Sequence, residues 1–323
     1  MIGPALLNQL LAENWNVRIL VHHTSDPWLF TLPVERFSGD IVDLNSIRPA
    51  MEGIDVVFHL AAKLHLNSPS LSLTQEYQQI NVDGAVNVAQ AAVDAGVKRM
   101  VHFSTISVYG PSLGRPPFTE ASPLNPQSLY AETKQRSEEE IRKIFQDSPL
   151  SSFVVLRLAA VYGPRLQGNY RTLVRAIRHR LFLPVGDGQN RRTMIYIDDL
   201  VRAAILAAEH PGAAGAIFNV TDGMIHSLNE VVASIARALD KRPPRLRLPG
   251  RPVQMMTDLA DRLSEILLLP APKLRPIVDK VMEDVAARGD TLCRQLAFRP
   301  QFDLQLGWQT ALETKKIKPF DTR

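Results

Sequence analysis

Short apolar runs rich in β-branched residues recur along this chain with longer helix-like stretches between them: Val17 to Val21, Asp55 to Leu60, Met100 to Ser104, Phe153 to Leu158 and Ala216 to Val220. Parallel neighbours in a sheet need a long crossover, and a helix is the usual one. The alternation therefore predicts an α/β protein with a doubly wound parallel sheet covered by helices on both faces. Between two of these runs, Asn81 to Ala95 places Val82, Ala85, Val86, Ala89 and Ala92 on one side of a helix, and Gly96 is positioned to end it. Later in the chain prolines punctuate shorter helical segments, from Pro243 and Pro244 to Pro276. The change predicts a sheet domain over 1–165, to which 195–225 return, and a smaller C-terminal lobe built from 166–194 and 226–323.

Residue usage excludes several classes. The 37 basic and 33 acidic residues leave a formal charge of +4 and are scattered rather than gathered into an arm, so no nucleic-acid partner is expected. Cys293 is the single cysteine, which rules out an internal disulfide and a thiolate metal site and fits a reducing, cytoplasmic setting. No metal is expected. No run approaches the ~18 apolar residues of a membrane span, and the N-terminus lacks a signal-peptide pattern. The longest candidate, Met255 to Leu269, is interrupted by Asp258, Asp261, Arg262 and Glu265. Its helical spacing predicts an amphipathic helix packed with its apolar side against the protein, without membrane association.

Chemistry concentrates in Ser128-Leu129-Tyr130-Ala131-Glu132-Thr133-Lys134. The segment reads as a helix start, and Tyr130 and Lys134, one turn apart, share a face and can reach one ligand. A phenol is a poor base at neutral pH unless neighbouring positive charge favours the phenolate, a role that the Lys134 ammonium and the positive charge of an oxidised nicotinamide are expected to play toward Tyr130. The spacing alone fits two unrelated residues on a solvated helix equally well.

Its surroundings add more. His102-Phe103-Ser104-Thr105-Ile106-Ser107-Val108-Tyr109-Gly110 follows a strand, and with the Tyr130–Lys134 helix downstream it resembles the extended short-chain dehydrogenase/reductase family of NAD-dependent epimerase/dehydratase type. The resemblance implies a Rossmann-type domain followed by a substrate lobe, with Thr105, Tyr130 and Lys134 as the catalytic set. Ser104 and Ser107 are lesser candidates for the role of Thr105, and Ser107 also for contact with substrate. Ser38-Gly39-Asp40-Ile41-Val42-Asp43 is similar to the family's adenine-holding segment, which gives that role to Asp40 with Ile41 beside it. His59-Leu60-Ala61-Ala62 resembles the strand exit beneath the cofactor, and Asn81-Val82-Asp83-Gly84 the helix start whose Asn braces the active site. Leu156 to Pro164 and Ile195 to Leu200 match as well.

Domains of this kind open with a strand and a glycine-rich turn that admits a pyrophosphate to a helix N-terminus. Here Met1-Ile2-Gly3-Pro4 runs directly into a helix over Ala5 to Glu13, so Gly3 stands as the last glycine of such a turn. The first strand is expected to be missing, through a start assigned too late or a truncation. The cofactor is NAD or NADP. Val21-His22-His23-Thr24 carries no acid to accept from a ribose, and His22 is either a cofactor contact or a loop residue.

Gly168-Asn169-Tyr170 and Leu183 to Thr193 resemble nucleotide-sugar 4-epimerases and 4-ketoreductases, which implies substrate contacts at Asn169 and a diphosphate-binding guanidinium at Arg192. Ile106 and Ser107 stand where a dehydratase carries an acid/base pair, which argues against dehydration. Ala160 stands where many of these enzymes carry a diphosphate-binding Asn, a departure that keeps a hydroxysteroid-dehydrogenase-like or flavonol-reductase-like ketone reductase as the alternative. A catalytically silent binding relative is the third reading. The partner is a small molecule, and a homodimer is compatible with the resemblance.

Overall fold

The apolar runs form parallel strands in the computed structural model, which describes residues 1–22, 31–64, 71–166, 168–266, 278–279 and 282–313. Helix α1 (Ile2–Ala12) starts earlier than the expected Ala5, because Pro4 in a first turn has no intrahelical donor to lose. Strand β1 (Arg18–Val21) pairs with β2 (Glu35–Ser38). Asp43 caps α2 (Leu44–Met51) by accepting from the Asn45 amide, and β3 (Val56–His59) follows. The expected helix from Asn81 is divided. After α3 (Leu71–Tyr77), a π-helical turn spans Gln78–Asp83 before α4 (Gly84–Asp94) begins. Gly96 then ends the helix region with φ +70, a conformation glycine adopts without strain.

Strand β4 (Arg99–Thr105) runs into a 3-10 turn, Ile106–Tyr109, and is followed by α5 (Leu129–Gln146), β5 (Ser152–Leu158) and β6 (Ala160–Tyr162). Helix α6 (Gly168–Arg178), β7 (Arg191–Arg192), β8 (Met194–Tyr196) and α7 (Ile197–Glu209) come next, and β9 (Ile217–Val220) rejoins the sheet beside β5. The C-terminal part supplies β10 (His226–Ser227), α8 (Leu228–Ala238), α9 (Gly250–Ile266), α10 (Asp290–Leu296) and α11 (Leu304–Glu313).

The fold is an α/β doubly wound parallel sheet in two ladders. One is β2–β1 and the other β3–β4–β5–β9; no strand among the described residues bonds β1 to β3. Side chains join them. Trp15 meets Phe58 edge-on at 6.3 Å between centroids, and Leu20 and Val57 pack against one core shared by α2, α4 and α5. All four β3 side chains but His59 are only half-buried, whereas β4 is buried from Arg99 to Ser104. A second core on the other face takes in α1, α7, α8 and α11.

Helix α9 overturns one expectation. Its apolar Met255, Met256 and Leu259 face solvent, while Gln254, Thr257, Asp258 and Asp261 are half-buried. The inward side is polar because it has polar partners: Gln254 donates to Asp279 at 3.1 Å. Residues 267–269 of the expected helix lie outside the described residues. Among those described, no helix is long and apolar enough to cross a membrane, and no His/Cys/Asp/Glu group could hold a metal ion.

Candidate functional site

Helix α5 begins at Ser128, whose hydroxyl accepts from the Ala131 amide at 3.2 Å, with Glu132 in the first turn where a carboxylate complements the helix dipole. Buried polar bonds fix the helix to the sheet. Lys134 Nζ lies 3.3 Å from His102 Nε2 on β4. Glu138 accepts from the Ser104 hydroxyl and pairs with Arg157 of β5 at 2.6 Å, and Arg157 in turn donates to the Tyr109 hydroxyl at 2.8 Å. Ser104 is thus committed to Glu138. Thr105 ends β4 and accepts from the Ser107 amide at 3.2 Å. Helix α5, which carries Tyr130 and Lys134, packs on both β4, which Thr105 ends, and the 3-10 turn, which holds Ser107.

Asn81, buried in the π-helical turn, ties three segments together. Its carbonyl accepts from the Lys63 amide at 2.6 Å, and its amide group donates to the Lys63 carbonyl at 3.2 Å and to Thr133 Oγ1 at 3.1 Å. Thr133, between Tyr130 and Lys134, donates on to the Tyr130 carbonyl at 3.0 Å. A buried amide with this many bonds holds the α5 start and the loop after β3 in one register.

Burial dominates the electrostatics. It pushes the Tyr130 phenol up to about 12, with Tyr77 adding to the rise. It lowers Lys134 to about 8, opposed by the charge of Glu138. Desolvation disfavours the Tyr130 anion, and Lys134 Nζ lies against His102. His59 is lowered to about 3 by burial and then by Lys134, and burial, then Lys134 and His59, hold His102 well below its ordinary value. Their rings stack with centroids 5.4 Å apart.

The other candidates come from further segments. Gly3 sits in the first turn of α1, where an added Cβ would meet nothing within 4 Å. His22 and Asp40, just beyond β1 and β2, approach to 3.3 Å, and Asp40 also accepts from the Val42 amide at 3.0 Å. Ile41 is half-buried, with Gly84 so close that a Cβ there would stand 2.7 Å from Ile41 Cδ1. After β3, Leu60 and Ala62 are half-buried and Ala61 is exposed. Asn169 is exposed on α6. Arg192 is half-buried and donates to the Glu283 carbonyl, while neighbouring Arg191 binds Asp284 at 2.7 Å and holds that carboxyl down to about 2. The sequence reading missed His102, Thr133 and the Glu138–Arg157 pair; helical spacing from Lys134 to Glu138 was the one available signal, since the partners come from distant strands.

The residues present fit NAD. The first turn of α1 has no side-chain cap and open space at Gly3, as a phosphate-bearing ligand at a helix N-terminus requires. Polar His22 and Asp40 lie beyond the carboxyl ends of β1 and β2, where α/β sheets bind ligands, and Lys134 packs on the middle of β4 at His102.

Comparison with known proteins agrees with this geometry. The model of the NAD dependent epimerase/dehydratase family matches residues 1–221. The chain is 30% identical over 279 residues to a UDP-glucose 4-epimerase of Vibrio cholerae, covering 82% of this chain and 83% of that protein. It is also 30% identical over 249 residues to an N-acetyl-alpha-D-glucosaminyl-diphospho-ditrans,octacis-undecaprenol 4-epimerase of Escherichia coli O157:H7, covering 77% and 72%. Among solved structures, MoeE5 in complex with UDP-glucose and NAD is 27% identical with a TM-score of 0.75, covering 98% of this chain and 95% of that one. A family model spanning most of the chain, on a parallel sheet with helices on both faces, leads to one conclusion: the chain belongs to the NAD dependent epimerase/dehydratase family.

Proposed function

We propose that this enzyme interconverts a secondary alcohol and a ketone on a nucleotide sugar, as a UDP-hexose 4-epimerase or 4-ketoreductase, through Thr105, Tyr130 and Lys134. The reading rests on the α5 start being fixed to the π-helical turn by the Asn81–Thr133 contact and to the middle of β4 by the Lys134–His102 contact. Bound NAD supplies the acceptor for a hydride from the carbinol carbon. Thr105 Oγ1 hydrogen-bonds the substrate oxygen, and Tyr130 takes up and returns its hydroxyl proton. Lys134 Nζ holds the cofactor ribose. A phenol at about 12 is a reluctant base, so proton transfer at Tyr130 depends on positive charge brought close by the loaded site. Arg192 serves the diphosphate, for which a planar guanidinium is suited.

Calorimetric titration with NAD and NADP, followed by assay of UDP-glucose and UDP-galactose interconversion, tests the proposal. Micromolar NAD binding with turnover supports it, and absence of binding favours the silent relative. Ala160 favours a second reading, because its methyl group cannot bond a diphosphate. Turnover of a hydrophobic ketone but of no UDP-sugar, with Arg192→Ala leaving that activity intact, would select the ketone reductase.

A further inference from the structure

The outward side of α9 combines apolar and cationic residues in a pattern that a solvated helix does not need. Met255, Met256 and Leu259 are 72%, 70% and 59% exposed. Arg251 and Arg262 lie near the two ends of this stripe, at spacings that keep them on the same side of the helix. The stretch leading into α9 continues the theme: Arg245 and Arg247 alternate with Leu246 and Leu248, all exposed. The two acids between 242 and 262, Asp258 and Asp261, are half-buried. The exposed charged side chains of this stretch are therefore all cationic, with exposed Asp187 and Asp279 at its edges.

A third element joins it. The Gly186 amide donates to the Leu248 carbonyl and the Leu248 amide to the Pro184 carbonyl, both at 2.8 Å, so the segment is zipped to the loop that leads on to Arg191 and Arg192. That loop adds exposed Leu181 and Leu183, after Arg178 and Arg180 of the preceding segment. Large apolar side chains exposed in this number and proximity mark an interaction surface. Its charge selects the partner. Exposed Met and Leu flanked by arginines match an anionic bilayer, which takes the apolar side chains among its acyl chains and the guanidinium groups at its phosphates.

We propose that this face, α9 with the segment and loop zipped to it, docks the protein on an anionic lipid surface. Docking places the loop that ends at Arg191 and Arg192 next to the headgroups. The inference does not depend on the proposed reaction, since it concerns a separate face and is read by binding alone.

The test is co-sedimentation of the full chain with vesicles of phosphatidylcholine alone and of phosphatidylcholine with phosphatidylglycerol in equal parts. The chain is expected to sediment with the anionic vesicles and to be released by salt. Met255→Asp with Met256→Asp, and separately Arg245→Glu with Arg251→Glu, are expected to weaken binding, each arginine by roughly fivefold. These positions are exposed, so folding, checked by circular dichroism, is expected to be retained. No binding to anionic vesicles overturns the proposal, as does equal binding by the variants. A lipid-free dimer that the Met255→Asp, Met256→Asp variant abolishes also overturns it, because the face then belongs to a second copy of the chain.

Discussion

Lys134 Nζ lies 3.3 Å from His102 Nε2, and both side chains are buried. One imidazole nitrogen thus faces an ammonium in the interior, with Ser137 Oγ 3.0 Å from the same nitrogen. A nitrogen that accepts from Lys134 carries no proton, which puts the ring proton on Nδ1, an atom with no hydrogen-bond partner. His102→Leu removes the acceptor and is expected to cost about 1–3 kcal/mol in urea unfolding. An unchanged midpoint would show that the contact contributes nothing.

His59 makes the folded state sensitive to acid. Its pKa is about 3 when folded and ~6.5 when unfolded, so between these values the unfolded chain binds a proton that the native state excludes. Stability contributed by the neutral ring is complete above the upper value and is lost as pH falls toward the lower one. Melting temperatures recorded in that window are expected to drop on acidification, and His59→Gln to flatten the decline.

The corresponding window for Lys134 is alkaline. Its pKa of about 8 lies below the unfolded ~10.4, so stability is expected to rise with pH across that interval and to carry a constant penalty below it. Lys134→Met should remove the rise, stabilise the fold at neutral pH and abolish NAD binding. A variant that binds NAD as the parent does would remove Lys134 from the cofactor site.

The Glu138–Arg157 pair is buried on both sides. Glu138→Gln strands a buried guanidinium and is expected to cost about 3–5 kcal/mol, while Glu138→Leu with Arg157→Met should lie nearer the parent because no charge remains inside. Chemical denaturation of the two variants and the parent compares them directly.

Tyr130→Phe is expected to lower kcat by about a hundred- to ten-thousandfold while leaving NAD affinity unchanged, as loss of a proton-transfer group predicts. Calorimetry beside steady-state assay separates the two effects. Equal turnover would exclude Tyr130 from proton transfer.

Five strands were legible as short apolar runs, and β1, β3, β4, β5 and β9 fall within a residue or so of them, whereas polar β2, Glu35–Ser38, carried no such signal. Tyr130 and Lys134 were legible as a pair because helical spacing is local. The Lys134–His102 contact was not, since it joins residues on separate elements that only the packed sheet brings together. Periodicity also showed which residues of α9 share a side without showing which side turns inward: that depends on Asp279, which accepts from Gln254.

The two-ladder sheet bears on how the molecule opens. Strands β1 and β2 share main-chain hydrogen bonds with each other, and the packing of Trp15 on Phe58 is one of the side-chain contacts that link them to the larger ladder. Deuterium exchange at their amides can proceed through a partial opening that leaves β4 and β5 closed. The protein is therefore expected to show two tiers of protection, with the boundary between them running along the facing edges of β1 and β3.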